Sequence, residues 1–409
     1  MTRQPWIYSP FVDGLFILAI PFLIVAATLL CGDYFRPADS MTVVSWAILV
    51  MGVDVSHVYS TIYRTYLDKE TMQRHGLFLM LLPFAVLIIC LLLYLFGAQV
   101  FWRVMAYVAV FHFARQQYGF LRVYSRHENP SAFARRIDAL AIYTATLYPI
   151  LDWHLAGQKS FNWFMNGDFF YFAGLCRAAA DCSRAQEWLA TARTLAWFAY
   201  LGIMGLYLVK EVTLLWKSIT ARRQALLRNS IATKNVPWFN LPRNAILAGT
   251  LLSWYVGIIH FNSDLAFTAI NVMSHGIPYI ALVWIYGRKK YNNASGAGLE
   301  QMPTWSMAQL FRPRYILFFI VSLLLLAYVE EGLWDAWVWH EKNHQPLFDA
   351  FHALVGGAGP ESSWLKLLVP LLSVPQITHY IIDGFIWKIR RDKYGWSDIT
   401  FGHGSTGSP

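Results

Sequence analysis

The chain has 409 residues, of which 56% are hydrophobic and only 14% are charged, whereas soluble domains carry about 25% charged residues. Aromatic residues reach 17%, and Trp and Tyr collect where hydrocarbon meets water. This composition excludes a soluble enzyme, a disordered chain and a collagen-like chain. The long apolar runs exclude an outer-membrane barrel, whose strands alternate in hydropathy. The predicted fold class is therefore all-α, a polytopic helical membrane protein.

Ten apolar runs approach the length of a membrane helix, which needs about 20 mostly apolar residues. In chain order the predicted spans are 14–32, 43–63, 77–97, 101–121, 137–156, 194–215, 244–261, 265–287, 314–333 and 366–388. The seventh and eighth are so close in sequence that they predict a tight helical hairpin or one long kinked helix. We expect residues 1–393 to form a single membrane domain and residues 394–409 a flexible cytoplasmic tail.

The distribution of Lys and Arg predicts the direction of these spans. The net charge of +9 is compatible with nucleic-acid binding, but a cytoplasmic N-terminus places 24 of the 33 basic residues in inner segments, as cytoplasmic loops require. Ten spans then make the C-terminus cytoplasmic as well. The basic excess faces anionic lipid head groups and not nucleic acid. We therefore predict a multi-pass protein of a bacterial inner (cytoplasmic) membrane. Cys176 and Cys182 in the outer loop form either a disulfide or two thiols.

Four of the 12 histidines lie inside predicted spans at a similar depth. They are His57 in the second span, His112 in the fourth, His275 in the eighth and His379 in the tenth. All four spans run from outside to inside, and a rise of about 1.5 Å per residue places the histidines roughly 9–18 Å from the cytoplasmic boundary. The sequence therefore predicts four imidazoles in one layer of the inner leaflet, one from each helix.

Each of these histidines has polar residues three or four positions away, a spacing that brings side chains to one face of a helix. They are Asp54 beside His57, Arg115 and Gln116 beside His112, Asn271 beside His275, and Gln376 and Asp383 beside His379. A metal-bound imidazole commonly donates its second N–H to such a group. Asp54, Arg115 and Asp383 each cost about 2.5–3.5 kcal/mol in an apolar span when unpaired. A divalent cation or one protonated histidine would offset the surplus negative charge.

Four neutral nitrogen ligands without a cysteine at that depth favour iron, copper or zinc. The leading hypothesis is a non-haem iron oxygenase that acts on an apolar lipid or isoprenoid reaching it from the bilayer, with His57, His112, His275 and His379 as metal ligands. Arg115, Asp54 and Asp383 are then the catalytic candidates, and Asn271, Gln376 and Gln116 the candidates for holding the cofactor.

Three alternatives remain open at this point. Histidines also form hydrogen bonds across helix interfaces, as in a scaffold, and intramembrane His, Asp and Arg sets mark the ion pathways of transporters. Two of the histidines could instead ligate haem in an electron carrier. The histidine-box spacings of membrane desaturases, such as H-x-x-H-H, do not occur in the sequence, which disfavours that class.

Short stretches of four helices resemble the bacteriorhodopsin-related-protein-like β-carotene dioxygenases of bacteria and archaea. The similar residues are Ser56 and His57, the run Phe111-His112-Phe113-Ala114, Ser274 and His275 followed by Val283, Trp284 and Arg288, and Val374, Pro375, His379, Ile382 and Asp383 with Phe385-Ile386-Trp387-Lys388. The resemblance implies a compact helical membrane fold and iron held by histidines of separate helices, with oxidative cleavage of a carotenoid-like substrate. That family has a second histidine where this chain has Tyr279, so the fourth ligand here would be His379.

Overall fold

The computed structural model describes residues 4–37, 41–157, 159–169, 171–175, 179–227, 239–294, 307–341, 345–356, 363–388 and 396–401. These residues are mostly helical, and none of them belongs to a β-strand. The all-α class predicted from the composition is confirmed.

A helix occupies each of the ten predicted spans. In chain order the helices are α1 (Pro10–Leu18 and Ile20–Leu30, bent by 46° between its two parts), α2 (Val43–Arg64), α3 (Lys69–Tyr94), α4 (Ala98–Tyr124), α5 (Ala132–Ala156), α6 (Ala179–Leu227), α7 (Leu241–Trp254, extended by Tyr255–His260), α8 (Asp264–Asn292), α9 (Pro313–Trp339), α10 (Gln345–Val355), α11 (Leu365–Ile386) and α12 (Trp396–Phe401). The tenth predicted span corresponds to α11.

Within the described residues, six helices are long and apolar enough to cross a membrane, or seven if the bent α1 is one span. These six are α2, α3, α6, α8, α9 and α11. Helices α4, α5 and α7 lie at predicted positions but carry more polar residues, which neighbouring helices shield: Asp138 of α5 and Arg243 of α7 are both buried. A helical membrane protein is shown, while the number of ten crossings and the cytoplasmic termini stay predictions.

The chain reverses sharply between α7 and α8, so the predicted hairpin is confirmed and the single kinked helix is wrong. Phe261 is extended, with φ −96° and ψ 149°, and the Ser263 hydroxyl caps α8 by accepting from the backbone N–H of Ala266. Gly257 lies directly against Ile270 and Asn271, and a Cβ there would come within 2.6 Å of the Asn271 amide. The absence of a side chain at Gly257 therefore lets the two arms of the hairpin pack closely.

The packed body extends beyond residue 393. Trp396, the first residue of α12, is fully buried, and its ring centroid lies 4.9 Å from that of Trp387. The Lys289 ammonium donates to the carbonyl of Thr400 at 2.7 Å. The boundary predicted for the flexible tail is therefore too early for residues 396–401. Residues 402–409 and Cys176 lie outside the described residues, so a flexible tail end and a disulfide stay predictions.

A buried ion network joins α5, α6, α7 and the segment after α4. The Arg243 guanidinium donates to Glu128 at 2.6 Å and to Glu211, and lies 3.7 Å from Asp138. Lys210 donates to Asp138 and lies 2.8 Å from Glu211. Three carboxylates thus share two cations in a largely buried site, where removing one partner is costly. The network holds the predicted inner ends of three helices together.

Candidate metal centre

The four histidines that the sequence placed in one layer meet at one point. One ring nitrogen from each lies within 4.8 Å of the other three. The neighbouring ring centroids are 4.6 to 4.9 Å apart, and those of His57 and His112 are 6.5 Å apart. His57, His112, His275 and His379 are 1%, 5%, 0% and 2% exposed. The predicted cluster is confirmed, and its role as a metal site remains a proposal.

Local helix geometry brings α2 and α8 close together at this point. In both helices a π-helical stretch, Ala47–Val55 in α2 and Thr268–Val272 in α8, ends shortly before the histidine, and such stretches are frequent at functional sites. Gly276, the neighbour of His275, faces Val53, and a Cβ there would lie 2.7 Å from the Val53 side chain and 3.0 Å from its carbonyl oxygen. Glycine therefore permits the helix contact that brings His57 and His275 together.

The spacing of the ring nitrogens suits a shared ion. Nitrogens bound at about 2.0–2.1 Å to one metal are about 3 Å apart when adjacent and about 4 Å apart when opposite. Nε2 of His57 lies 3.1 Å from Nε2 of His275, which is the separation of adjacent ligands. The two most distant ring nitrogens are at most 4.8 Å apart. They would need to approach each other by less than about 1 Å to bind one ion at these bond lengths.

Two buried nitrogens of the cluster are suited to bind a cation. Nε2 of His112 and Nε2 of His379 have no hydrogen-bond partner among the described residues. Their nearest charged neighbour is Oδ2 of Asp383, at 3.8 and 3.7 Å. A buried polar atom without a partner costs about 1–3 kcal/mol. A cation between these three atoms would satisfy both nitrogens, and it makes Asp383 a candidate fifth ligand.

A chain of hydrogen bonds connects His379 to Asp383 through two hydroxyl groups. Thr61 Oγ1 lies 2.7 Å from Nδ1 of His379 and 2.8 Å from the Tyr279 hydroxyl, and Tyr279 donates to Oδ1 of Asp383. If Nε2 of His379 binds a metal, Nδ1 carries the proton and donates to Thr61. Thr61 then donates to Tyr279. Every donor is used once, so the chain orients both the imidazole and the carboxylate, as ligand-supporting groups do.

Tyr279 is a site residue that was not among the predicted polar neighbours of the histidines. It follows His275 by four positions and therefore lies on the same helix face, which is the signal that would have indicated it. Its ring centroid is 5.1 Å from that of His379, and the Trp387 indole donates to its hydroxyl at 3.4 Å. A tyrosine in an apolar helix is ordinary, so its role becomes visible only once Thr61 and Asp383 are in place.

Of the other predicted partners, Asp54 lies beside the imidazole of its histidine, whereas the three amide side chains bind other groups. Oδ1 of Asp54 is 3.6 Å from Nδ1 of His57. The Gln116 amide donates to the backbone carbonyl of His275 at 2.8 Å, and Asn271 donates to the carbonyl of Phe267 at 3.3 Å. Gln376 donates to the Tyr380 hydroxyl at 2.7 Å. Gln116, Asn271 and Gln376 therefore fix backbone or aromatic neighbours, not imidazole nitrogens.

Arg115 is not brought to the cluster. It is exposed, it donates to the Tyr143 hydroxyl on α5 at 2.7 Å, and its guanidinium lies 5.4 Å from the ring centroid of Tyr118. A spacing of three residues from His112 leaves the two side chains about 60° apart around the helix, and the long Arg115 side chain follows the outer surface. The carboxylates of Asp54 and Asp383 therefore lack the balancing charge that the sequence suggested.

Aromatic rings enclose the histidines. The Phe113 ring is parallel to that of His275, with 3.7 Å between centroids and 9° between planes, and Tyr380 stacks on His112 at 4.4 Å. Such walls exclude water, and the low dielectric strengthens every electrostatic interaction within them.

We expect Thr61→Val to lower the metal affinity of the cluster by about 10–100-fold, the usual effect of losing a group that supports a ligand. Valine keeps the shape of threonine but cannot bond to His379. The measurement is chelator competition on the purified protein. Thr65→Val is the matched control, because Thr65 is buried directly after the same helix and donates to the carbonyl of Thr61 at 2.8 Å. Equal losses in the two variants would contradict the role of Thr61.

Comparison of the chain with protein-family models, with curated proteins and with solved structures finds no match. The four-histidine cluster with Asp383 and its hydrogen-bonded supports is therefore the feature of the molecule from which a function is argued.

Proposed function

We propose that the protein is an integral-membrane enzyme in which His57, His112, His275 and His379 hold one non-haem iron, and that it oxidises an apolar lipid or isoprenoid with molecular oxygen. The observation that carries the proposal is the convergence of four buried imidazoles, each with one nitrogen within 4.8 Å of the others. The sequence resemblance to the β-carotene dioxygenases described above supports the same reaction class.

The donor set supports iron. Imidazoles with a carboxylate suit iron, copper or zinc, and the described part of the chain brings no cysteine into the cluster. Four histidines would hold the ion, and Asp383 would serve as a fifth ligand from the same side as His112 and His379. Bound iron would supply the oxygen chemistry that protein side chains lack.

The residues around the cluster define how the protein itself would contribute. Tyr279 holds a proton on its hydroxyl, donates it in a hydrogen bond to Oδ1 of Asp383 and so directs Oδ2 toward the imidazoles. Phe113 and Tyr380 cover His275 and His112 and exclude water. Because Arg115 is directed elsewhere, these walls favour an apolar part of a substrate over a charged head group.

A single ion fits the cluster better than haem does. Bis-histidine haem needs two imidazoles facing each other across a flat slot that is wide enough for the macrocycle. Here the ring centroids of His57 and His379 are 4.9 Å apart, and those of His112 and His275 are also 4.9 Å apart. Any two of the histidines therefore have the other two beside them, where the macrocycle would have to lie. The geometry therefore favours one metal ion held by all four.

The test is anaerobic reconstitution of the detergent-purified protein with Fe²⁺, followed by elemental analysis and oxygen uptake. We expect about one iron per chain, and iron-dependent oxygen consumption when β-carotene or another long polyene is added. Mass spectrometry of the extract should show oxygenated products. An Asp383→Asn variant should bind iron more weakly and consume less oxygen.

Two outcomes would contradict the proposal. Stoichiometric metal without oxygen consumption on any apolar substrate would indicate a structural or carrier role for the site. Protein that binds no metal but moves protons or ions across vesicle membranes would establish the transporter alternative, in which the histidines form a buried polar pathway.

A further inference from the structure

A cleft lies apart from the histidine cluster, where residues 159–169 and 171–175 fold over the ends of α4 and α5. Its volume is about 220 Å³. Aromatic side chains and two cations line it together, among them Trp153, Phe161, Phe169, Arg103 and Lys159. None of these residues belongs to the proposed metal site. In the predicted topology the cleft opens on the outer side of the membrane.

The loop that forms this cleft is held in one conformation. The carboxylate of Asp168 accepts hydrogen bonds from four backbone N–H groups of residues 163, 164, 165 and 169, at 2.6 to 3.3 Å. Gly167 has φ +83°, and its carbonyl accepts from Gln99 at 2.5 Å and from Arg103 at 2.9 Å. A site fixed before binding loses little conformational freedom when a ligand arrives.

The apolar part of the cleft is a set of aromatic rings in contact, with Trp153 tilted by about 45° to both Phe161 and Phe169. The Trp153 centroid lies 4.8 Å from that of Phe161 and 4.7 Å from that of Phe169. Large rings around a few polar groups are typical of small-molecule sites, whose volumes run from about 300 to 1,000 Å³ for drug-sized ligands. The smaller volume here suits a head group or a small anion and not a whole lipid.

The charge of the cleft favours an anion. Two cations, Arg103 and Lys159, and one carboxylate, Asp168, line the cleft, so its lining carries a net positive charge. Backbone N–H groups hold the Asp168 carboxylate in the loop, and Asp152 pairs with Arg193 at 2.6 Å. Lys159 is half-buried and forms no ion pair with a carboxylate of the described residues. The pKa of Lys159 is lowered, mainly by burial. The charge of Asp152 raises this pKa, and the charge of Arg193 lowers it further. An anion in the cleft would stabilise the charged form of Lys159.

We infer that this cleft binds an anionic head group, a phosphate or carboxylate, with Lys159 and Arg103 at the negative charge and Trp153, Phe161 and Phe169 against the adjoining apolar atoms. The source of that group is either a membrane lipid or a free small anion. The inference does not depend on the proposed iron chemistry.

The test uses the full chain in detergent and titrates it calorimetrically with dihexanoyl phosphatidylglycerol, dihexanoyl phosphatidylcholine and inorganic phosphate, all below micelle formation. We expect the anionic lipid to bind at least about tenfold more tightly than the zwitterionic lipid, which is a difference of about 1.4 kcal/mol. Lys159→Gln should weaken binding of the anionic lipid by about the same factor. Binding of inorganic phosphate as tight as that of the anionic lipid would support a free anion as the ligand.

Arg184→Gln is the matched control, because Arg184 is an exposed cation of the same predicted outer region outside the cleft, and it should bind like the wild type. Equal binding of the two lipids, no binding of any probe, or equal weakening by Lys159→Gln and Arg184→Gln would overturn the inference. Size-exclusion chromatography of Lys159→Gln establishes that the variant is folded, so that loss of binding is interpretable.

Discussion

His112→Ala and His379→Ala are each expected to lose the bound metal under conditions in which the wild-type protein keeps about one ion per chain. Each change removes an imidazole whose Nε2 has no hydrogen-bond partner among the described residues and faces Asp383 at 3.8 or 3.7 Å. Loss of a supporting group costs about 10–100-fold in affinity, and loss of a ligand should exceed the upper figure. Elemental analysis after dialysis against a weak chelator measures the effect.

The matched control is His154→Ala. His154 is also a buried histidine of a long helix, α5, and is 8% exposed, but its Nε2 lies 3.0 Å from the Tyr107 hydroxyl and not in the cluster. This variant should keep its metal although it also leaves a cavity. A wild-type protein without metal, together with unchanged stability in both cluster variants, would overturn the assignment of the metal site.

Arg243→Met is expected to destabilise the protein by about 3–5 kcal/mol, the usual cost of removing one partner from a buried ion pair. The guanidinium contacts Glu128 and Glu211 and lies 3.7 Å from Asp138, so its loss leaves three carboxylates to Lys210 alone. Reversible unfolding in mixed micelles measures the change in the free energy of unfolding.

Two further variants distinguish this network from a surface contact. Arg74→Met removes an equally short ion pair, 2.6 Å from Glu70, but the two side chains are 58% and 46% exposed, so the loss should be about 0–1 kcal/mol. Adding Glu211→Gln to Arg243→Met should recover part of the stability, because it removes one of the stranded charges. Similar losses for Arg243→Met and Arg74→Met would show that burial of the network contributes nothing.

Helix positions and the histidine cluster were predictable because both depend on local periodicity. Apolar runs of about 20 residues give the helices, and alternating span direction gives the common depth of His57, His112, His275 and His379. The close approach of α2 and α8 at Gly276, which sets the 3.1 Å spacing of two ring nitrogens, has no signature in the sequence.

Pairings between distant helices could not be predicted. Tyr279 and Asp383 are 104 residues apart, and Lys210 and Asp138 are 72 apart. The charge count that singled out Asp54, Arg115 and Asp383 omitted Asp138 and Glu211, which also lie within predicted spans and are buried. A helix spacing of three residues also leaves a long side chain free to turn outward, as Arg115 does.

The order in which the proposed ligands occur along the chain has a consequence for biosynthesis. His57 precedes His379 by more than three hundred residues, and Asp383 follows on the same helix, α11. A ribosome-bound chain that has been synthesised only as far as α9 carries three of the imidazoles and neither Nε2 of His379 nor the carboxylate of Asp383. Metal uptake should therefore follow the insertion of α11, and because ligands brought together by folding contribute their binding energy to folding, the ion would lock the helices after translation has placed them.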